Sequence, residues 1–336
     1  MPSLVRRTLA ALLACLVASI VSPATAQTPP PPIPQTCQRA CLEGWIDKYL
    51  AAMRDQNVDA GLFARGVKFT ENGVQLPLGK EGLWFAMSGI GGYKFYVPDV
   101  ETQQVAFIGT VLEQSGSSVT GPKKDVLVAV AIRLKIRDDR ITEIEQLAIR
   151  PTSTNSSANA WPPTGEGVEA MKAPHPIFRE AIPPQKRASR EELIQTANYY
   201  FTGLAPNDDK GYYPFTDDCI RFENGVDVLA NALDPATQKR GRMTCKYQFE
   251  AALKGVVSRV RDRRFVAVDR ERGIVFAFGF FDHPSINWTW QLAELFRIED
   301  GKIRRIEAIF HRAPFGINSG WSTYEQGMSE DIQSVR

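Results

Sequence analysis

Few residues in this chain are of the types that commonly carry out chemistry. Its three histidines are His175, His283 and His311, and a carboxylate recurs at Glu71 and Glu223 in two copies of Glu-Asn-Gly-Val. Because each of these glutamates precedes Asn-Gly, a turn signal, a solvated turn position is the alternative for both. The sequence contains no Gly-rich phosphate loop, Ser-His-Asp order or closely spaced metal ligands. These features favour acid–base chemistry without a cofactor or metal.

Further candidates follow a strongly apolar run in the C-terminal part of the chain. Asp282-His283 ends the run Ile274–Phe281, where an acid–base pair could form at the mouth of a pocket. A polar loop after a buried strand is the alternative for this pair. Trp288 and Trp290 could stack on an aromatic or sugar ring of a substrate, or they could pack in the core.

The chain contains an internal repeat. Its two Glu-Asn-Gly-Val copies lie 152 residues apart. Asp47–Leu50 precedes the similar Asn198–Phe201 by 151 residues, and Ile141–Glu145 precedes Ile303–Glu307 by 162. Three segments in the same order indicate duplication of a domain of about 110–130 residues, because two units are too few for a solenoid.

Each half has the same predicted order of elements. A helix comes first, at Gln38–Arg54 and at Arg190–Leu204, where apolar residues recur at helical spacing. A turn, a strand through Glu-Asn-Gly and an irregular stretch with helical content follow. Antiparallel strands are then predicted at 100–112, 126–137 and 141–150, and at 264–268, 273–281, 288–298 and 302–312. This order predicts an α+β fold in which helices cover one face of a curved antiparallel sheet.

The stretch between the halves shows no sustained periodicity and is rich in Ser, Asn and Pro. It predicts a linker at 152–187 between domains at 37–151 and 188–316, with a C-terminal tail at 317–336.

The N-terminus has the layout of a secretory signal at 1–26. Two arginines precede the apolar stretch Leu9–Val21, and the small residues Ala24–Ala26 follow it. The apolar stretch is shorter than the roughly 20 residues that span a membrane. Lipidation at Cys15 is the alternative to simple cleavage, and a Pro-rich spacer follows at 27–36. We therefore expect a secreted or periplasmic protein with no membrane association once the signal is removed.

Export changes the interpretation of the cysteines. Four of them remain after the signal, at positions 37, 41, 219 and 245. An even count in an oxidising compartment favours disulfides, paired Cys37–Cys41 and Cys219–Cys245. Zinc binding by Cys-x-x-x-Cys is the alternative, although a second closely spaced pair of Cys or His is absent.

The charge balance excludes nucleic acid as a partner. The chain has 40 basic and 38 acidic side chains, and removal of residues 1–26 leaves 38 of each. A chain so balanced has no electrostatic surface for nucleic acid or anionic lipid. The basic residues Arg261, Arg263 and Arg264 are expected to form a solvated face.

This organisation resembles the nuclear-transport-factor-like superfamily, which includes SnoaL-like polyketide cyclases, ketosteroid isomerase and scytalone dehydratase. Gly301–His311 is similar to the closing hairpin of that superfamily, and Asp217–Glu223 is similar to the segment that enters its second strand. The chain also resembles a family of exported proteins of unknown function in bacteria and fungi. The shared stretches are Cys37-x-x-x-Cys41-Leu42, Phe69–Gly73 and Gly82–Trp84.

The superfamily resemblance implies two cone-shaped domains, each with an apolar pocket between its helices and its sheet. It also implies proton transfer without a cofactor, with donors that stabilise a developing oxyanion. It places Glu223, or Glu71 in the first unit, at the general-base position. Tyr200 or Tyr49 falls near the oxyanion donor, and His311 stands where the superfamily typically has an acid.

Strand alternation favours the second unit as the active one. Glu307 and His311 share one strand face, and the first unit ends in Ile149 at the place of His311. If this face lines the pocket, only the second unit has a titratable end. Two of the three histidines also fall in the second unit.

Two functions are compatible with this sequence. The first is an exported lyase or isomerase, active by dehydration, isomerisation or elimination on a small neutral molecule of aromatic or sugar origin. Its candidate catalytic residues are Glu223, His311, Tyr200, His283 and Asp282, and its candidate substrate-binding residues are Trp288, Trp290, Glu307, Arg221, Glu71 and Tyr49. The second is a non-catalytic protein in which the two cones pack as an intramolecular pseudo-dimer and bind an apolar ligand or a partner chain.

Overall fold

The computed structural model describes residues 37–58, 61–117, 121–151, 163–205, 211–252 and 257–334. The predicted signal at 1–26, the spacer at 27–36 and the first part of the linker lie outside these residues. Within the described part of the chain, no helix is long and apolar enough to cross a membrane.

The first half, here called the N-repeat (39–149), is a helix followed by a six-stranded sheet. Helix α1 (Arg39–Arg54) buries one face, which includes Tyr49. The sheet has the order β2-β1-β6-β5-β4-β3, in which only the β1–β6 pairing is parallel. Its elements are β1 (Phe63–Glu71), β2 (Val74–Gln75), α2 (Leu83–Ala86), β3 (Met87–Asp99), β4 (Gln104–Ser117), β5 (Gly121–Arg137) and β6 (Arg140–Ile149).

The second half, the C-repeat (190–314), repeats this arrangement. Its sheet has the order β11-β12-β13-β14-β7-β8, again with one parallel pairing, between β14 and β7. Helix α3 (Thr164–Ala170) and turns at Pro176–Arg179 and Pro184–Lys186 precede it. Its elements are α4 (Arg190–Leu204), β7 (Phe215–Glu223), β8 (Val226–Asp227), β9 (Ala232–Leu233), β10 (Arg240–Gly241), α5 (Cys245–Tyr247), β11 (Arg259–Asp269), β12 (Ile274–His283), β13 (Trp288–Glu299) and β14 (Lys302–Pro314), followed by α6 (Tyr324–Met328).

The predicted α+β fold is confirmed, and one strand in it was not anticipated. The stretch after Glu-Asn-Gly-Val is predicted to be irregular with helical content, whereas Met87–Asp99, with glycines at 89, 91 and 92, forms strand β3. The strand forms by pairing with β4, and the glycines permit close packing there. A Cβ atom at Gly91 would lie 2.1 Å from Thr110 Oγ1. The predicted Asn-Gly turns are present, with positive φ at Asn72, Gly73, Asn224 and Gly225.

Each sheet has two buried faces. The inner face of the C-repeat sheet packs against α4 and includes Phe296, Ile306 and Phe310. The outer face packs against the outer face of the N-repeat sheet, in a cluster that includes Leu295 and Ile309. Because both faces are apolar, the described residues of the two repeats pack into one compact unit.

Equivalent residues of the two repeats make equivalent contacts with the opposite repeat. Arg39, the first residue of α1, forms an ion pair with Asp269 at 2.7 Å. Arg190, the first residue of α4, forms an ion pair with Asp99 at the same distance of 2.7 Å. Asp99 and Asp269 each end the strand that lies at the sheet edge. Such reciprocal contacts are the pattern of a two-fold interface.

The arginines of β11 are buried, so the expectation of a solvated face is wrong. Arg264 donates two hydrogen bonds to Glu145 of the N-repeat, at 2.6 and 2.7 Å. Arg261 donates to the backbone oxygens of Ile317 and Gly327 in the C-terminal segment. These cations are buried because their strand packs against the N-repeat sheet and the C-terminal segment.

Both disulfides predicted from the sequence, Cys37–Cys41 and Cys219–Cys245, are present. The second closes a loop of 26 residues and attaches α5 to β7. Replacing Cys219 and Cys245 by alanine should lower the free energy of unfolding by about 3 kcal/mol, because the unfolded chain regains the freedom of that loop. Urea titration measures the loss. The same change at Cys37 and Cys41, which closes a much shorter loop, should cost about 2 kcal/mol; equal or reversed losses would contradict the loop-length argument.

Candidate functional site

Three polar side chains from separate elements converge on the inner face of the C-repeat. Tyr200 lies on α4, Arg221 on β7 and Glu294 on β13, and all three are buried. The two strands flank β14, where Arg221 pairs with Ile306 and Glu294 pairs with Ala308. Helix α4 covers the same face, so its tyrosine reaches both strands.

Arg221 is the centre of the hydrogen-bond network in this cluster. Its Nη2 donates to the Tyr200 hydroxyl at 3.1 Å and also to Glu223. Its Nη1 donates to Gln248 Oε1. The Tyr200 hydroxyl in turn donates to Glu294. Among the described residues, Arg221 Nε and Glu294 Oε2 are buried without a hydrogen-bond partner.

The surroundings of this cluster are aromatic. The Tyr200 ring lies 4.8 Å from the ring of Phe249, 5.1 Å from that of Phe296 and 6.3 Å from that of Phe215. An apolar shell of this kind removes water and strengthens every electrostatic interaction within it.

Burial sets the protonation of the two acidic groups. Desolvation raises the pKa of Glu294 to about 8, although the Tyr200 hydrogen bond and the Arg221 charge oppose this rise. Desolvation also raises the pKa of Tyr200 well above its usual value. At neutral pH both groups therefore carry a proton, and Glu294 is positioned as a proton donor.

The raised pKa of Glu294 makes stability depend on pH. Between its ordinary pKa of 4.5 and about 8, the folded state holds a proton that the unfolded state has lost. Stability contributed by this group is therefore fully present below pH 4.5 and decreases by about 1.4 kcal/mol per pH unit up to pH 8. Chemical denaturation from pH 5 to 9 should show a steeper decline for the wild type than for Glu294→Gln. Parallel pH profiles would contradict this assignment.

The corresponding interior of the N-repeat is a closed hydrogen-bond network. Tyr49 donates to Gln146 at 2.9 Å, and Gln146 donates to Glu71 at 3.1 Å. Trp84 donates to Tyr49 at 3.0 Å, and Arg150 donates to Glu71 at 2.9 Å. The glutamate also accepts from a backbone N–H of α2. Each of these polar side chains has a hydrogen-bond partner, so we interpret the network as structural.

The two repeats differ at the positions that supply the buried charges. The register of the sheets places Phe69 and Ile132 of the N-repeat where the C-repeat has Arg221 and Glu294. Both N-repeat residues belong to its apolar core. At these two positions the C-repeat has a cation and an acid, whereas the N-repeat has two apolar side chains.

The structure brings together three of the residues predicted from sequence: Tyr200, Arg221 and Glu223. The side chain of Glu223 is 21% exposed, which places it at the edge of the cluster. Glu71 and Tyr49 occupy the same places in the N-repeat, within its closed network.

His311 and Glu307 lie on the outer face of β14, and the expectation that this face lines the pocket is wrong. His311 contacts Gln291 at 3.0 Å, and burial lowers the pKa of this histidine to about 4, so it is neutral. Glu307 accepts a hydrogen bond from Tyr93 of the N-repeat at 3.0 Å. Both side chains therefore lie on the side of β14 that packs against the N-repeat sheet, and they point away from Glu223.

Asp282 and His283 point to opposite faces of β12, because side chains alternate along a strand. Asp282 accepts hydrogen bonds from Arg261 at 2.9 Å and from Thr289 at 2.7 Å. Burial acts to raise the pKa of Asp282, but these hydrogen bonds hold it below its usual value. Asp282 is thus an ion-pair partner of Arg259 and Arg261 within the C-repeat, and it does not form an acid–base pair with His283.

His283 instead belongs to an aromatic cluster at one end of the inner face. Its ring lies 4.2 Å from Trp290, and the Arg312 guanidinium lies 3.6 Å from the ring centroid of Trp288. Alternation along β13 puts Trp288, Trp290 and Glu294 on one face, with about 20 Å between the first and the last. Trp288 and Trp290 therefore share the inner sheet face with Tyr200, Arg221 and Glu294, but they do not contact Glu294.

Glu294 and Gln248 were not anticipated from the sequence. A comparison of the repeats at the spacing of 162 would have revealed Glu294, which stands in the place of Ile132. Gln248 lies in a segment with little periodicity and gave no signal. Within the described ranges, no group of three or more His, Cys, Asp or Glu side chains is arranged to bind a metal ion.

Comparisons with known proteins extend this description. Residues 186–310 match the sequence pattern of a family described as "Domain of unknown function (DUF8021)". A search of curated proteins gave no match.

Two solved structures show similarity to part of the chain. One is a de novo designed protein with a curved β-sheet, at 17% identity and a TM-score of 0.26, covering 37% of this chain and 88% of that chain. The other is an NTF-2 like protein of unknown function from Burkholderia xenovorans LB400, at 15% identity and a TM-score of 0.25, covering 37% and 86%.

Proposed function

We propose that the C-repeat is a cofactor-independent lyase or isomerase that acts on a small neutral molecule with a carbonyl group. The observation that carries this proposal is the position of Glu294. This carboxyl group is 1% exposed, has a pKa near 8 and keeps one oxygen without a partner beside Tyr200. A protonated acid in an apolar interior is suited to donate a hydrogen bond to a developing oxyanion.

In the proposed reaction, the Glu223 carboxylate removes a proton from the carbon next to the substrate carbonyl. The electrons of that C–H bond form a C=C bond, and the carbonyl π electrons move onto oxygen. Glu294 and Tyr200 donate hydrogen bonds to this oxygen, while the positive charge of Arg221 lies between the two carboxyl groups. Return of the proton to another carbon gives isomerisation, and loss of a leaving group from the adjacent carbon gives elimination.

The family resemblance supports the same reaction class. The Asp217–Glu223 segment and the C-terminal hairpin resemble SnoaL-like proteins, and we propose that both repeats derive from that group. The two disulfides support an oxidising compartment, and we propose that the protein is secreted or periplasmic.

Proton exchange tests the proposal without knowledge of the complete reaction. The purified protein would be incubated in D₂O with a panel of neutral cyclic ketones, aromatic ketones and sugar-derived keto compounds. Proton NMR should show loss of the signal of the hydrogen next to the carbonyl in at least one compound, faster than in buffer. Binding of panel members without accelerated exchange would contradict the proposal.

Binding without chemistry is the second candidate function. The close ring contacts around Tyr200 favour it, because an interior filled with aromatic side chains can bind an apolar ring without a catalytic group. A ligand that raises the melting temperature but undergoes no exchange would support this function.

A further inference from the structure

Arg297 on β13 is a buried cation with unmet hydrogen bonds. Its side chain is 2% exposed and lies on the outer face with Leu295. Within the described part of the chain, its Nε and Nη1 have no hydrogen-bond partner. The carboxylate of Glu299 lies 3.7 Å from Nη2, which is too long for a hydrogen bond. A guanidinium buried in this way is unfavourable unless an anion compensates its charge.

Arg305 is a second buried arginine, on the neighbouring strand β14. The two arginines are directly opposite each other in the β13–β14 pairing, and the Arg305 side chain is 7% exposed. Arg305 Nε donates to Glu307 at 2.8 Å, and the other oxygen of Glu307 accepts from Tyr93. Glu307 is therefore engaged with Arg305, and the charges that act on Arg297 come from the carboxylates of Glu299, Glu180 and Asp269, none of which accepts a hydrogen bond from its Nε or Nη1.

The N-repeat has a pair of opposite charges at the two equivalent positions. Its equivalent cross-strand pair is Lys135 and Glu143, whose Nζ and Oε1 lie 3.7 Å apart. Opposite charges in directly opposed positions stabilise a sheet, whereas like charges destabilise it. The C-repeat thus has two like charges where its counterpart has an ion pair.

The linker before the C-repeat lies next to the arginine pair. The ring of Phe178, which is fully buried, lies 5.8 Å from the Arg305 guanidinium carbon. The backbone N–H of Ile182 donates to the Glu271 carbonyl at 2.8 Å, which attaches the linker to the turn after β11.

We propose that Arg297 and Arg305 form a binding site for a small oxyanion beside this linker. A carboxylate, sulfate or phosphate group supplies the acceptor oxygens that Arg297 Nε and Nη1 lack. The site is separate from the Glu294 cluster, because residues 297 and 294 face opposite sides of β13.

Thermal unfolding of the whole protein at fixed ionic strength tests this site. Sodium chloride would be replaced in turn by acetate, sulfate and inorganic phosphate. At least one oxyanion should raise the melting temperature of the wild type, and this rise should exceed the rise in Arg297→Met by about 2 °C or more. Comparison with this variant removes the general stabilisation that sulfate and phosphate give to folded proteins. The matched variant Lys135→Met, at the equivalent place in the N-repeat, should keep the full shift.

Three results would overturn the proposal. Equal shifts in the wild type and Arg297→Met would show that the arginine takes no part in anion binding. A wild type that is insensitive to every anion, with sensitivity appearing only in Glu180→Gln, would show that the exposed Glu180 already supplies the charge. Insensitivity of all variants would likewise exclude an oxyanion site.

Discussion

Replacing Glu223 by glutamine is expected to lower the rate of catalysed proton exchange by roughly 10²–10⁴-fold. Glutamine keeps the shape of the side chain and can still accept a hydrogen bond from Arg221, but it cannot take a proton. Because Glu223 is the counter-charge of the buried Arg221, the variant should also lose stability, so its exchange rate is compared with that of the wild type at a temperature at which circular dichroism shows both folded. Exchange by NMR, on whichever panel compound the wild type accepts, measures the loss.

The matched control is Glu71→Gln in the N-repeat. Glu71 occupies the equivalent position but is bonded within a closed network, so its replacement should leave the exchange rate within about threefold. Equal losses from the two variants would refute a single active repeat. Full exchange activity in Glu223→Gln would show that another group is the base.

Removal of Glu145 should produce a large loss of stability. This carboxylate accepts two hydrogen bonds from Arg264 and lies 3.4 Å from Arg133, and all three side chains are buried between the repeats. Glu145→Gln leaves Arg264 with Asp262 and Arg133 with Glu143 as the remaining counter-charges, which should lower the free energy of unfolding by about 3 kcal/mol. Urea denaturation would measure this value.

Two further variants test whether the loss of stability in Glu145→Gln comes from a buried charge that has lost its partner. The double variant Glu145→Leu with Arg264→Met removes both partners, so it should recover part of the stability lost by the single variant. Asp47→Asn breaks an exposed ion pair with Lys94 and should cost less than about 1 kcal/mol. A loss from Glu145→Gln no larger than that of Asp47→Asn would contradict the account of the interface.

The internal repeat made much of this fold predictable. The Glu-Asn-Gly-Val copies identified β1 and β7 with their turns, and the spacing of the two helices aligned Tyr49 with Tyr200. The superfamily resemblance then places Tyr200 and Glu223 in one pocket, with Arg221 as a further candidate. Local patterns carried this information because each pattern occurs twice in the same order.

The choice of strand face was not predictable from alternation. On β14, Ile306 and Phe310 face the helix, whereas Ile309 and His311 face the other repeat. Both rows are buried, so neither polarity nor apolar periodicity shows which row lines the interior. His311 was assigned to the wrong side for this reason. Glu294 was overlooked because a single acid in an apolar strand resembles a residue directed to solvent.

The reciprocal ion pairs of Arg39 with Asp269 and Arg190 with Asp99 have a consequence for how such a protein can change over generations. In an assembly of two identical chains, a mutation alters both subunits at once, so a buried Arg221–Glu294 pair would destabilise both interiors. Two copies encoded in one reading frame accumulate substitutions independently. The C-repeat can then bury polar residues such as Arg221 and Glu294. The N-repeat, with Phe69 and Ile132 at the equivalent positions, keeps an apolar core that supports the interface between the two repeats.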